Sequence, residues 1–144
     1  MADIRELTTE PGYRSAFPVI SQLRDHLSEA TYLENLDAMR GEGYRLFALF
    51  VGDAIVSVAG VAVRTNFYNG RHLFVYDLVT REESRSEGHG ARLMEFVESW
   101  ARDQGCAALS LESGLWREDA HRFYDEELDM EKYCYTFKKE LDAQ

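Results

Sequence analysis

The residues with the clearest chemistry in their spacing are Arg85-Ser86-Glu87-Gly88-His89-Gly90-Ala91. They follow an extended apolar run, Leu73 to Thr80, and they open a segment of helical periodicity in which Leu93, Met94, Phe96, Val97, Trp100 and Ala101 share one face. The first N–H groups of a helix have no partner within it, and the helix dipole adds partial positive charge there. Glycines at that point let an anion approach the backbone, so a strand, a glycine-bearing turn and a helix N-terminus form a phosphate cradle. A Walker loop would need Gly-x4-Gly-Lys-Ser/Thr, which is absent, and a Rossmann turn would need a third glycine where Leu93 stands. The same stretch also suits an ordinary strand–turn–helix joint packed through glycine. His26, His72, His89 and His121 lack His-x3-His spacing, and neither a Ser-His-Asp nor a Cys-His set is evident, so no metal site is expected.

The elements that must hold this cradle can be taken from the pattern. Ile4 to Leu7 alternates as a first strand, and Pro11-Gly12 breaks it. Pro18 suits the first turn of a helix whose apolar face is Val19, Ile20, Leu23 and Leu27. After a break at Ser28-Glu29-Ala30, Thr31 is the expected cap of a second helix, with Glu34 in capping-box register and an end at Gly41-Glu42-Gly43. Tyr44 to Val51 and Ala54 to Val63 read as strands joined by the Gly52-Asp53 turn. Thr65 to Arg71 reads as a longer loop before the strand Leu73 to Thr80. A helix from about Gly88 to Gln104 and a short buried strand, Ala107 to Leu111, follow; a right-handed parallel crossover joins the strands most economically. A last helix from Glu118 to about Leu128 precedes a strand, Met130 to Leu141, on which Tyr133, Tyr135 and Phe137 alternate with polar residues. The order predicts a mixed α/β sheet, mostly antiparallel, with helices on both faces.

The chain has 144 residues, enough for a single domain, 1–144, with a substantial core. The net charge is −10 and no basic stripe runs along a predicted helix, which argues against nucleic acid and would favour a cationic amine. No run reaches the roughly 20 apolar residues of a membrane span, and the first residues lack a secretory signal pattern, so a cytoplasmic location is expected. Cys106 and Cys134 have no metal or redox spacing and read as reduced core thiols.

Arg85-x-x-Gly88-x-Gly90 after a strand ending Leu-Val-Thr resembles the pyrophosphate-binding motif of the GNAT superfamily of acyl-CoA N-acyltransferases. A second stretch, Arg117-Glu118-Asp119-Ala120-His121-Arg122-Phe123-Tyr124, resembles that superfamily's Ala-x-x-Phe-Tyr helix. Its form is similar to the subgroup that includes aminoalkylphosphonate acetyltransferases. The element order also matches, so the resemblance covers nearly the whole chain and implies the GNAT fold. One departure stands out: Leu128-Asp129-Met130 occupies the place where the family usually has glycine and an aromatic residue. Ser86 likewise replaces a common glycine.

The resemblance implies acetyl-CoA as co-substrate, a primary amine as acceptor and direct attack in a ternary complex. The backbone of Leu78, Val79 and Thr80 would meet the pantetheine amides and the acyl carbonyl. Arg85, Ser86, Glu87, Gly88, His89, Gly90 and Ala91 would hold the pyrophosphate through N–H groups, Arg85 adding charge. Tyr124 takes the part of general acid, since a phenol of pKa about 10 can protonate a departing thiolate of about 8.5 when in reach. For a general base acting through water the candidates are Asp77 and Glu112, and a neutral amine would need none. An acyl-CoA-binding sensor without turnover, and a protein acetyltransferase, are the competing readings. Ser28 to Tyr44 and Thr65 to Arg71 are expected to line the acceptor side, and the aromatic final strand leads us to expect a homodimer.

Overall fold

The computed structural model describes residues 2–85, 87–113 and 117–141. The chain divides into a large unit, Met1–Leu111, and a small one, Glu112–Gln144. In the large unit β1 (Ala2–Leu7), β2 (Arg45–Val51), β3 (Ala54–Asn66), β4 (Gly70–Thr80) and β5 (Ala108–Leu111) form one sheet in sequence order. The first four strands pair antiparallel, and β5 joins β4 in parallel. The crossover between them is α3 (His89–Asp103).

Alternation along β2 sorts the two faces. Leu46 and Ala48 belong to a buried cluster with Tyr13, Ala16, Val19 and Ile20 of α1 (Glu10–Leu23) and Tyr32 and Leu36 of α2 (Glu29–Gly41). Phe47, between them in sequence, packs its ring 5.4 Å from those of Phe96 and Trp100 on α3. A period of two on the strand against 3.6 on the helices therefore buries an apolar layer on each face of the sheet.

Several boundaries differ from expectation. Helix α1 starts at Glu10 rather than at Pro18: Thr9 caps it by accepting from the Gly12 N–H at 3.3 Å, and Pro11 falls in the first turn, where its missing N–H costs nothing. Pro18 sits inside α1, and the buried residues around it, Ala16, Val19 and Ile20, offset the lost helical bond. Helix α2 is capped by Ser28, whose Oγ accepts from the Thr31 N–H at 3.1 Å, so Thr31 is its third residue and not its cap. The β3–β4 ladder runs through Thr65↔Arg71 to Asn66↔Gly70, which shortens the expected loop to 67–69. There Asn66 Oδ1 accepts from the Asn69 N–H at 2.7 Å.

The small unit contains α4 (Glu118–Arg122), continued by a π turn, Phe123–Glu127, which the Leu128 N–H closes on the Phe123 carbonyl at 3.1 Å. Asp129 follows with φ +53, a left-handed conformation where the family pattern carries glycine; aspartate is among the few residues that adopt it. The expected final strand is not formed: 130–141 has no regular structure. Alternation makes a strand only where a neighbour supplies a ladder and one face is covered. Among the described residues no strand pairs with this segment, and Phe137 remains 93 % exposed. Cys134 is exposed in the same stretch, so it is not a core thiol; Cys106 is half-buried.

Candidate active site

The two halves of β4 have different neighbours. His72 to Val75 pair with β3 on one edge and with Ala108 to Leu111 of β5 on the other. Beyond Val75 the β5 pairing ends, and among the described residues 76–80 have no strand on that edge. Leu78, Val79 and Thr80 face Ala59, Val58 and Ser57 of β3. On the other edge their N–H and C=O groups can receive an extended chain carrying amides.

A bulge marks the change. Gly60 lies opposite Asp77 and Val61 opposite Val75, which leaves Tyr76 as the extra residue. The bulge brings two consecutive side chains, Tyr76 and Asp77, to the wall of one cavity on the α1–α2 side. Asp77 is held from both directions. The Tyr44 hydroxyl donates to Oδ2 at 2.8 Å, and Arg24 Nε donates to Oδ1 at 3.1 Å. Arg24 Nη2 also donates to the Tyr76 carbonyl at 3.0 Å, and the Asp77 side chain is only 11 % exposed. Gly60 is what lets Tyr44 reach this point, since a Cβ there would lie 1.7 Å from the Tyr44 hydroxyl oxygen. Burial, and then the negative charge of Asp77, hold the pKa of both Tyr44 and Tyr32 well above the ordinary phenol value. Both phenols therefore act as donors. The Tyr32 hydroxyl donates to the Tyr13 carbonyl at 2.8 Å.

After β4, a 3₁₀ turn, Glu82–Ser84, leads to Gly88, which occupies the N-cap position of α3 at φ +84 and offers no side chain to cap it. Only glycine adopts that conformation freely. The first helical bond is Arg92 N–H to the Gly88 carbonyl at 3.0 Å, so the N–H groups of His89, Gly90 and Ala91 precede the ladder. No acidic residue lies in the first turn of α3. Arg85 is exposed, and its Nε donates back to the Thr80 carbonyl at 3.3 Å. Glu87 is exposed with its carboxylate 3.3 Å from His89 Nε2. Ser86, another residue expected at the pyrophosphate, lies outside the described residues.

In the small unit Tyr124 is half-buried on the π turn, its ring 5.9 Å from that of Phe123. Glu112 is exposed, and its Oε2 accepts from the Thr136 hydroxyl. Among the described residues no three His, Cys, Asp or Glu side chains converge as a metal site requires. No described helix is long and apolar enough to cross a membrane.

Sequence reasoning missed Arg24, Tyr44 and Tyr76. They lie 53, 33 and one residue from Asp77, and no local pattern links the first two to it. A glycine inside the apolar run of β3, Gly60, was the available signal for a bulge or close approach.

Residues 3–130 match the model of the acetyltransferase (GNAT) family. A protein of Bacillus subtilis (strain 168) named "uncharacterized N-acetyltransferase YhdJ" is 39% identical over 140 residues, 96% of this chain and 99% of its own. An aminoglycoside N(6')-acetyltransferase type 1 of Serratia marcescens is 33% identical over 75 residues, which is 49% of this chain and 51% of that one. Among solved structures, the aminoglycoside N-acetyltransferase AAC(6')-Iy in complex with CoA superposes with a TM-score of 0.86 at 14% identity, covering 99% of this chain and 96% of its own. That likeness shows the fold, which the sheet order and crossover above share. The chain belongs to the GNAT acetyltransferase family and is an N-acetyltransferase.

Proposed function

We propose that the protein transfers the acetyl group of acetyl-CoA to the primary amine of a small molecule, by direct attack in a ternary complex. The observation that supports this most is the join of a half-strand, 76–80, which among the described residues has a strand on one edge only, to the N-terminus of α3, which has no side-chain cap. Backbone groups of Leu78, Val79 and Thr80 receive the pantetheine arm, and the N–H groups from Arg85 to Ala91 receive the pyrophosphate. Related structures were solved with CoA and with a CoA–acetylneamine bisubstrate analog, which supports both the co-substrate and a small-molecule acceptor.

In the transfer step the amine nitrogen forms a bond to the acetyl carbon as the carbon–sulfur bond breaks. Asp77 or Glu112 takes the amine proton through water, and Tyr124 gives its hydroxyl proton to the leaving thiolate. In this reading 1–144 acts as one acetyltransferase domain of a cytoplasmic homodimer, the exposed aromatics of 130–141 serving as contact surface. Light scattering that shows only monomer at high concentration would remove the dimer.

Tyr124→Phe tests the chemistry. It keeps the ring, so acetyl-CoA affinity by calorimetry is expected to hold while turnover falls by roughly 10²–10⁴-fold, the usual worth of a positioned acid. A sensor without turnover makes the opposite prediction: saturable acetyl-CoA heat from both proteins and no thiol release with any amine. Gly90→Val is expected to weaken acetyl-CoA binding by crowding the cradle and to leave the fold intact.

A further inference from the structure

The cavity beside the bulge has a volume of about 300 Å³, at the small end of ligand pockets. Its wall contains three tyrosines, and each hydroxyl oxygen is already engaged in a hydrogen bond. Tyr32 donates to the Tyr13 carbonyl, Tyr44 donates to Asp77, and the Tyr76 oxygen accepts from Arg64 Nη2 at 2.8 Å, with neither Tyr13 nor Arg64 lining the cavity. What these residues present is ring surface, joined by Ile20, Leu27, Leu36 and Met39. The remaining polar side chains are His26 and Asn35, both exposed, and they stand at the rim.

The charges are as few. The wall holds one carboxylate, Asp77, and one arginine, Arg24, already paired with each other. An ionised carboxylate offers about four lone-pair positions. Arg24 Nε and Nη2 address Oδ1 and the Tyr44 hydroxyl addresses Oδ2, leaving Oδ2 room for one further N–H. We propose that this cavity is the acceptor site and selects a monoamine carried on an apolar body about one aromatic ring in size, with the nitrogen toward Asp77 and the body against Tyr32, Met39 and Tyr76. The proposal rests on the acetyl-transfer reading and goes beyond it. A polycationic aminosugar would bring several ammonium groups to a wall with one engaged carboxylate, and its hydroxyls would meet ring faces instead of hydrogen-bond partners.

Thiol release by the full chain at fixed acetyl-CoA, with phenethylamine, glucosamine and kanamycin as acceptors, tests this. The expected result is a kcat/KM for phenethylamine roughly 100-fold or more above either sugar, the scale on which unmatched polar groups discriminate. Equal or better use of glucosamine or kanamycin would overturn the proposal and leave acetyl transfer standing. Thiol release with none of the three, together with no calorimetric heat from phenethylamine in the presence of CoA, would also overturn it. Absence of acetyl-CoA heat would instead bring down the transfer reading itself. Asn35→Asp adds a carboxylate at the rim at almost constant shape, and it is expected to narrow the phenethylamine-to-kanamycin ratio by roughly tenfold. Met39→Trp fills the cavity from a different helix position and is expected to raise KM for phenethylamine more than for ethylamine. An unchanged ratio in the first variant and unchanged KM values in the second, both folded by circular dichroism, would exclude the cavity as the acceptor site.

Discussion

The lower and upper halves of β4 are one strand with two physical regimes. Residues 72–75 are paired on both edges, and Leu73 and Val75 are buried to 0 % and 2 % exposure. Residues 76–80 are paired on one edge, bulged at Tyr76, and provide a charged side chain that Arg24 and Tyr44 hold in place. The first half anchors the sheet, and the second is left with backbone groups on an edge that no described strand covers. An edge strand of this kind invites pairing with whatever extended chain arrives. Here the proposed arrival is the pantetheine arm.

Leu73→Ala is expected to cost about 2–5 kcal/mol of stability by urea unfolding, with KM for acetyl-CoA unchanged in the folded fraction. A large rise in KM without loss of stability would mean that the lower half serves binding too. In the upper half, Gly60→Ala places a Cβ where Tyr44 now stands and is expected to cost about 1–3 kcal/mol. It should also separate Tyr44 from Asp77, which a crystal structure of the variant would show as an open Oδ2. If Tyr44 stays in place, the glycine is not what sets that contact.

The buried phenols make stability depend on pH. Tyr32 and Tyr44 have folded pKa values raised above the unfolded value of about 10, burial being the main cause. Below pH 10 both states hold these protons and the full contribution is present. Above it the unfolded chain gains by ionising while the folded chain does not, so stability is expected to fall as pH rises past 10. Urea midpoints at pH 8, 10 and 11 measure this, and Tyr44→Phe should flatten part of the decline. A midpoint independent of pH would show that the phenols ionise as readily in the fold as outside it. The smallest effect is expected at the tip of the β3–β4 hairpin, far along the strand from the bulge. Phe67 is fully exposed there, and Phe67→Ser is expected to change stability by no more than about 0.5 kcal/mol.

What the sequence determined by itself is what short-range physics encodes. The spacing of Gly88 and Gly90 ahead of an apolar helical stripe announced α3 and its uncapped end, because capping and periodicity act within a turn or two. The Gly52-Asp53 hairpin and the parallel crossover to β5 were legible for the same reason. Proline misled: Pro18 looked like a helix start, whereas Thr9 and Pro11 begin the helix and buried neighbours carry Pro18 inside it. The alternation of Tyr133, Tyr135 and Phe137 misled in the same way, since a period of two cannot name the strand that would complete it. Only the tertiary structure decided that Asp77 would meet Arg24 from the end of α1 and Tyr44 from the approach to β2, across 53 and 33 residues of chain. That meeting depends on the bulge at Tyr76 and on the bare Cα of Gly60 opposite it. Register between strands is set by the sum of all their contacts, so no local run of residues contains it.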